Sequence, residues 1–413
     1  MATDKTKVLQ ILGSFGGGSS EEIQSAKEEI LAAIDQAVFD KQLLVDIVAG
    51  TCENLTGDAI TEIGDNVFSD STTLKSVNLP NCIKLGNGAF SNNSQLAELN
   101  LPNLVSIGNE AFIRCMFARI ELPNLREAGD SAFSGSNYTV LSEVILPNLS
   151  KAGAGCFSNC KATSLDFPNL TELSPRIFMS CPNLASFNLR NITDIPSEAF
   201  RSCGSLSHID LSNVVSIGNY AFYGCTAIDS VESDTVETLG TYTFGNCTAL
   251  TTINLKNIKS VSSQCFANCN ALKNINLPNV TKIKNSAFQS CKALTDLTFD
   301  KVTEIDTTAF FQCSALESIA LPQIEKIGTK IFSDCTGLKK VFIGINCTTI
   351  TATSYSASPF YNCPATTMVF CEATEKPSGW GTYWNYRSSN RQVQYKFGAT
   401  YEDYLAYGSD ATE

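Results

Sequence analysis

The residues of this chain best suited to chemistry are its thiols. Eleven of the seventeen cysteines stand three positions after a phenylalanine: Cys115, Cys160, Cys181, Cys203, Cys225, Cys247, Cys269, Cys291, Cys313, Cys335 and Cys363. A regular thiol column could form disulfides, hold a metal or supply a nucleophile. Disulfides need close and well-oriented pairs, and seventeen is odd, so at least one thiol stays unpaired within a monomer. Structural zinc takes four well-placed ligands. Cys156 with Cys160 and Cys265 with Cys269 give only two Cys-x-x-x-Cys pairs, and His208 is the one histidine. A single histidine is also too few for most Ser-His or Cys-His catalysis. No Gly-x-Ser-x-Gly, phosphate-loop or dinucleotide fingerprint occurs, and nothing singles out a pair of carboxylates. The expectation is a protein with no catalytic residue, no metal site and no cofactor. Its cysteines then serve as reduced, buried, small hydrophobes in a chain made in a reducing cytosol.

What positions the thiols is a repeat. Phe68, Phe90, Phe112, Phe133, Phe157, Phe178, Phe200, Phe222, Phe244, Phe266, Phe288, Phe310, Phe332 and Phe360 recur so that nine of the thirteen intervals are 22 residues. A period in this range marks stacked units, each touching only its neighbours. One regular unit carries Leu96, Leu99, Leu101-Pro102-Asn103-Leu104, Ile107-Gly108 and Ala111-Phe112; another carries Leu272, Ile275, Leu277-Pro278-Asn279-Val280, Ile283 and Ala287-Phe288. The spacing of two between Ile275 and Leu277 is a strand period. It predicts a strand of three or four residues, stopped by a proline that cannot donate to the ladder. The Ile-Gly-x-x-Ala-Phe segment should return the chain as a turn or short helical turn. A lone unit buries too little to offset its ordering entropy, so neighbours must share their buried faces.

The signature Leu-x-x-Ile-x-Leu-Pro-Asn-x-x-x-Ile-Gly-x-x-Ala-Phe-x-x-Cys resembles the BspA-type bacterial leucine-rich repeat, also seen in treponemal surface proteins, over about residues 55 to 398. The resemblance implies an α/β, mostly β repeat solenoid, curved, with a parallel β-sheet on its concave face. It also implies a role in adhesion or recognition. The asparagine here directly follows proline instead of filling the usual buried ladder position. The expected organisation is a flexible peptide at 1–18, a helix at 19–43, about fourteen repeats at 44–363, a C-terminal cap at 364–398 and an acidic tail at 399–413.

The ends and the charge narrow the class of partner. Ser19-Ser20-Glu21-Glu22 offers a capping box, and Ile23, Ile30, Ile34 and Ala37 fall on one face of an amphipathic helix. That helix either covers the first open repeat or docks and oligomerises the chain. Both tryptophans, Trp380 and Trp384, sit in the segment read as the terminal cap. Short apolar stretches and the composition of Met1 to Phe15 give no expectation of a membrane span or a cleavable signal peptide. A net charge of −12, with 29 scattered basic residues, argues against a nucleic-acid partner.

The candidate site is therefore a face. Residues beside the central strand position should point to solvent, giving one column with Asn78, Asn100, Glu121, Ile145, Asp166, Asn188, Asp210, Glu232, Asn254, Asn276, Thr298, Ala320 and Phe342. Its neighbour includes Glu98, Arg119, His208 and Asn274. Amides, hydroxyls and carboxylates in rows suit a protein or glycan receptor. Two settings fit: display on a bacterial surface as an adhesion solenoid, or a structural or receptor-binding part of a phage virion assembled through the N-terminus. Nine Asn-x-Ser/Thr sequons, Asn148, Asn169 and Asn279 among them, arise from the repeat itself.

Overall fold

A computed structural model describes Asp46 and residues 50–135, 141–388 and 391–408. The chain divides into two units, residues 1–192 with 202–204, and residues 193–201 with 205–413. Each is a stack of similar coils whose strands run parallel, apart from the antiparallel pair Tyr386–Ser388 and Arg391–Gln392 in the second.

In the first unit, Asn54–Thr56, Ser76–Asn78 and Glu98–Asn100 form one sheet, paired in phase: Leu55 opposes Val77, and Val77 opposes Leu99. Arg119–Glu121 pairs with Glu143–Ile145, and Ser164–Leu165 with Ser186–Phe187. The middle residue of each strand turns inward and its flanks turn out, as a period of two requires. In the second unit the same strip is built by Ser230–Ser233, Thr252–Leu255 and Asn274–Asn276, then by five strands from Asp296–Thr298 to Gln394–Phe397.

The Gly-x-x-Ala-Phe part of the repeat is a run of turns, as expected, and a second strip of strand that the spacing did not predict ends on the isoleucine before it. Glu62–Ile63, Lys84–Leu85, Ser106–Ile107, Glu127–Ala128 and Lys151–Ala152 make a five-stranded parallel sheet of two-residue strands. The glycine that follows permits the coils to approach: a Cβ on Gly108 would lie 2.6 Å from the backbone of Gly86 and Asn87. The phenylalanine then sits in a run of turns with its own ladder between coils, for example Phe90 N to Ala111 O at 2.8 Å and Phe112 N to Ala132 O at 2.9 Å. Two residues before and two after it, the backbone is left-handed, as at Glu110 (φ 57) and Arg114 (φ 58). Helix is scarce among the described residues, limited to a 3-10 turn at Tyr355–Ala357 and the α-helix Tyr401–Ala406 besides a single helical position at Asp46. The described chain is the expected mostly β repeat solenoid, with main-chain pairing between coils where helical turns could have stood. The expected helix at 19–43 lies outside the described residues.

The core is the phenylalanine column. Within the first unit Phe68, Phe90, Phe112, Phe133 and Phe157 stack at 5.3 to 5.8 Å with planes within 11°. Within the second, Phe200 to Phe310 repeat this at 5.3 to 5.6 Å. Such offset stacking adds about 0.5–1.5 kcal/mol per pair beyond burial.

Toward the C-terminus, Met368–Cys371 and Gln394–Phe397 continue the ladder in register. Trp380 is buried and donates its Nε1–H to the Cys347 carbonyl at 2.9 Å, with Trp384 edge-on at 4.8 Å. The segment read as an acidic tail begins differently. Helix Tyr401–Ala406, capped reciprocally by Thr400 and Asp403, folds back so that Tyr404 and Ala399 pack on Ala320, Phe342 and Phe370.

Candidate binding face

The outward side of the first-strand sheets carries the residues that the sequence marks as candidates. In the first unit Asn78, Glu98, Asn100, Arg119, Glu121, Asp166 and Asn188 are all exposed. In the second, His208, Asp210, Glu232, Asn274 and Asn276 are exposed and Asn254 is half-buried. Parallel in-phase pairing sets equivalent positions about 4.8 Å apart, close enough for side chains to bond along the stack. Asn100 Nδ2 donates to Asn78 Oδ1 at 2.7 Å, and Asn276 Nδ2 to Asn254 Oδ1 at 2.8 Å. Asn274 Nδ2 reaches Thr252 Oγ1 at 3.4 Å.

Two arginines pair with carboxylates on the face. Arg119 bridges Glu143 at 2.5 Å and Glu121 at 2.8 Å, and Arg190 pairs with Asp166 at 2.7 Å. Exposed pairs of this kind contribute little stability but fix side-chain positions. Asn188 Oδ1 accepts from the Arg190 N–H at 3.0 Å. The Ser212 backbone and hydroxyl hold the Asp210 carboxyl below its ordinary range, with His208 nearby adding to the effect.

The face stops short of the expected column. Ala320 and Phe342 do not meet solvent, because helix Tyr401–Ala406 covers them, so those two positions are core. The candidate docking residues Ile23, Ile30, Ile34 and Ala37 lie outside the described residues. Among the described residues no group of three His, Cys, Asp or Glu side chains is placed to hold a metal. No helix among them is long and apolar enough to cross a membrane.

The thiol column is a hydrogen-bonded structural seam. All seventeen cysteines are free and buried. Cys115 Sγ donates to the Phe90 carbonyl at 3.0 Å, Cys203 to Phe178 at 3.1 Å, and Cys225, Cys247, Cys269, Cys291, Cys313 and Cys335 do the same 25 residues back along their own unit. Burial pushes Cys115 and Cys313 up to about 12, which removes the thiolate that nucleophilic or metal chemistry needs. Where an early coil lacks the cysteine, Asn93 takes the place: fully buried, it donates Nδ2 to both the Phe68 and Phe90 carbonyls at 2.7 Å.

The asparagine after proline also has a partner that the sequence alone did not reveal. Asn103, Asn124, Asn148 and Asn169 each donate Nδ2 to a proline carbonyl of the preceding coil at 2.7 to 3.0 Å. Asn279 does the same to Lys256 at 2.9 Å. A second chain was equally unforeseen: Asp65, Asn87, Asn109 and Asp130 each accept, through Oδ1, the backbone N–H of the equivalent position in the next coil at 2.7 to 2.8 Å. The recurrence of Asn or Asp at one register was the available signal.

A family model described as BspA type leucine rich repeat region matches in six copies, over residues 50–140, 105–229 and 237–367. No curated protein matches the chain. Among solved structures it is similar to a leucine-rich repeat protein from Bacteroides ovatus, at 23% identity and a TM-score of 0.53, covering 69% of this chain and 83% of that one. A leucine rich cell surface protein from Faecalibacterium prausnitzii matches at 22% identity and a TM-score of 0.42, covering 70% and 87%. The pneumococcal vaccine antigen PcpA matches at 16% identity and a TM-score of 0.43, covering 81% and 84%. The likeness to the Bacteroides protein is one of fold.

Proposed function

Because the chain belongs to the BspA-type leucine-rich repeat family, we propose that it is a non-catalytic recognition or adhesion protein, presenting its outward strand face to a protein or glycan receptor on a cell surface. The observation that carries this reading is the pair of side-chain columns on that face. Short polar groups are held in rows by their neighbours, as Asn100 is by Asn78 and Asn276 by Asn254, so little side-chain entropy is lost when a partner binds. Surplus acid, as at Glu98, Asp210 and Glu232, favours a partner surface with basic patches. The alternative of a phage component docked or oligomerised through its N-terminus is carried by Ile23, Ile30, Ile34 and Ala37, and no observation on the described residues favours it.

The test is binding of fluorescently labelled full-length protein to intact cells, before and after trypsin shaving or periodate oxidation of the cell surface. Saturable binding abolished by one treatment supports the reading and identifies the receptor as protein or glycan. Binding that never saturates, or that survives both treatments, contradicts it.

A further inference from the structure

On the turn side of the second unit one patch departs from the rest of the stack. Tyr220 and Tyr242 occupy the position two residues before the column phenylalanine in successive coils, each with φ 56. Among the described coils that position is otherwise held by small residues, as at Gly88, Ser131, Ser286 and Thr308, or by charged and amide ones, as at Glu110, Arg176, Glu198, Gln264 and Lys330. A left-handed backbone costs an L-residue roughly 1–2 kcal/mol, and bulky residues adopt it least readily. The same backbone state recurs from coil to coil, as at Glu110, Gln264 and Lys330, so what sets these two positions apart is the aromatic side chain each carries.

The rings form a fixed platform. Tyr220 and Tyr242 stack at 4.8 Å with planes 16° apart, and Tyr223 stands edge-on to both at 5.6 and 5.9 Å. Beneath them Gly245 offers bare backbone: a Cβ there would lie 3.1 Å from the Tyr223 ring and 3.2 Å from the Tyr242 ring. Asn246 Nδ2 donates to the Tyr223 hydroxyl at 2.5 Å. The Arg201 guanidinium lies 5.5 Å from the Tyr220 and Tyr223 rings and is paired with Glu198 at 2.7 Å. All three tyrosines are half-buried, with Gln264 and Asn268, also half-buried, in the adjoining coil.

We propose that this tyrosine platform binds a neutral polysaccharide, at a surface separate from the strand face. A pyranose ring has a flat C–H face that gains by leaving water against an aromatic surface. Its rim of hydroxyls needs partners that both donate and accept, which amides and phenols supply. The pairing of Arg201 with Glu198 leaves the platform without net charge, so it offers no phosphate- or sulfate-binding field. A protein anchor would also use Tyr and Arg, but such anchors are fully desolvated, and these rings are only half-buried.

The experiment is affinity electrophoresis of the full-length protein through gels containing a soluble β-glucan, an α-glucan, a mannan or a galactan, with heparin as the anionic control. Retardation by at least one neutral polymer is expected. It should weaken at least tenfold in Tyr220→Ser/Tyr242→Ser, a change that copies the residue type at Ser286 and so keeps a native turn. The strand-face variant Asn254→Arg/Asn276→Arg should be retarded like the parent protein, which separates this site from the proposed receptor face. Retardation by heparin alone, no retardation by any neutral polymer, or equal retardation of the tyrosine variant would overturn the proposal.

Discussion

Cys313 donates its thiol hydrogen to the Phe288 carbonyl at 3.1 Å, and burial pushes its ionisation up to about 12. Cys115 and Cys265 are shifted up to about 12 by the same cause. An unfolded thiol ionises near pH 8.5, so above about pH 9 the unfolded chain holds fewer protons than the folded one. Stability is then full below the unfolded value and falls as pH rises toward the folded value. Each such thiol contributes a loss of about 1.4 kcal/mol per pH unit. The thermal midpoint should therefore drop steeply between about pH 9 and 11, while at pH 7 it ignores added reductant. A midpoint flat to pH 11, or one lowered by reductant at neutral pH, would contradict the seam of buried protonated thiols. Phe266 makes the companion test. Its ring is fully buried between Phe244 at 5.6 Å and Phe288 at 5.5 Å, so Phe266→Ala should cost about 3–5 kcal/mol by denaturant titration, whereas an exposed change such as Asn276→Ser should stay within about 0.5 kcal/mol.

At the scale of elements, the terminal helix is the part most open to test. Lys340 Nζ donates to the Tyr404 and Tyr407 carbonyls at 3.0 and 3.2 Å and lies 4.7 Å from the Tyr404 ring, a cation at the helix C-terminus. Lys396, with the Thr400 cap, holds the Asp403 carboxyl down to about 2. A depressed carboxyl contributes stability that is present above its unfolded value near 4 and is lost as pH falls through the folded one. Amide exchange across Tyr401–Ala406 should accelerate between about pH 4 and 2, and Asp403→Asn should accelerate it at pH 7. Exchange unmoved by that substitution would show that the cap does not hold the helix. The phenylalanine, cysteine and leucine columns that build the coils were legible because each coil buries the same side chain at the same register. The two-residue strands and the left-handed turns were not, since Glu110, Arg114, Tyr220 and Lys330 share one backbone state imposed by main-chain bonds between coils. Ala320 and Phe342 did interrupt the polar column in the sequence, and Tyr401 and Tyr404 were their unread partners.

At the scale of the molecule, each coil separates two tasks: apolar columns inside make the stack, and polar columns outside are free to vary with the partner. Candidate residues such as Asn78, Glu121, Asp210 and Asn276 were legible as outward positions because strand period and repeat register together fix their direction. What they bind was not, because recognition depends on the pattern across many exposed side chains and leaves no trace in packing. The separation of tasks predicts that the face can be rewritten without loss of fold. The most direct measurement pairs thermal unfolding with cell-binding affinity for one variant, Asn78→Arg/Asn100→Arg/Asn254→Arg/Asn276→Arg. The expected result is a melting midpoint within a few degrees of the parent protein together with saturable binding weakened at least tenfold. Unchanged affinity, or a midpoint that collapses along with binding, would contradict the assignment of that face as the recognition surface.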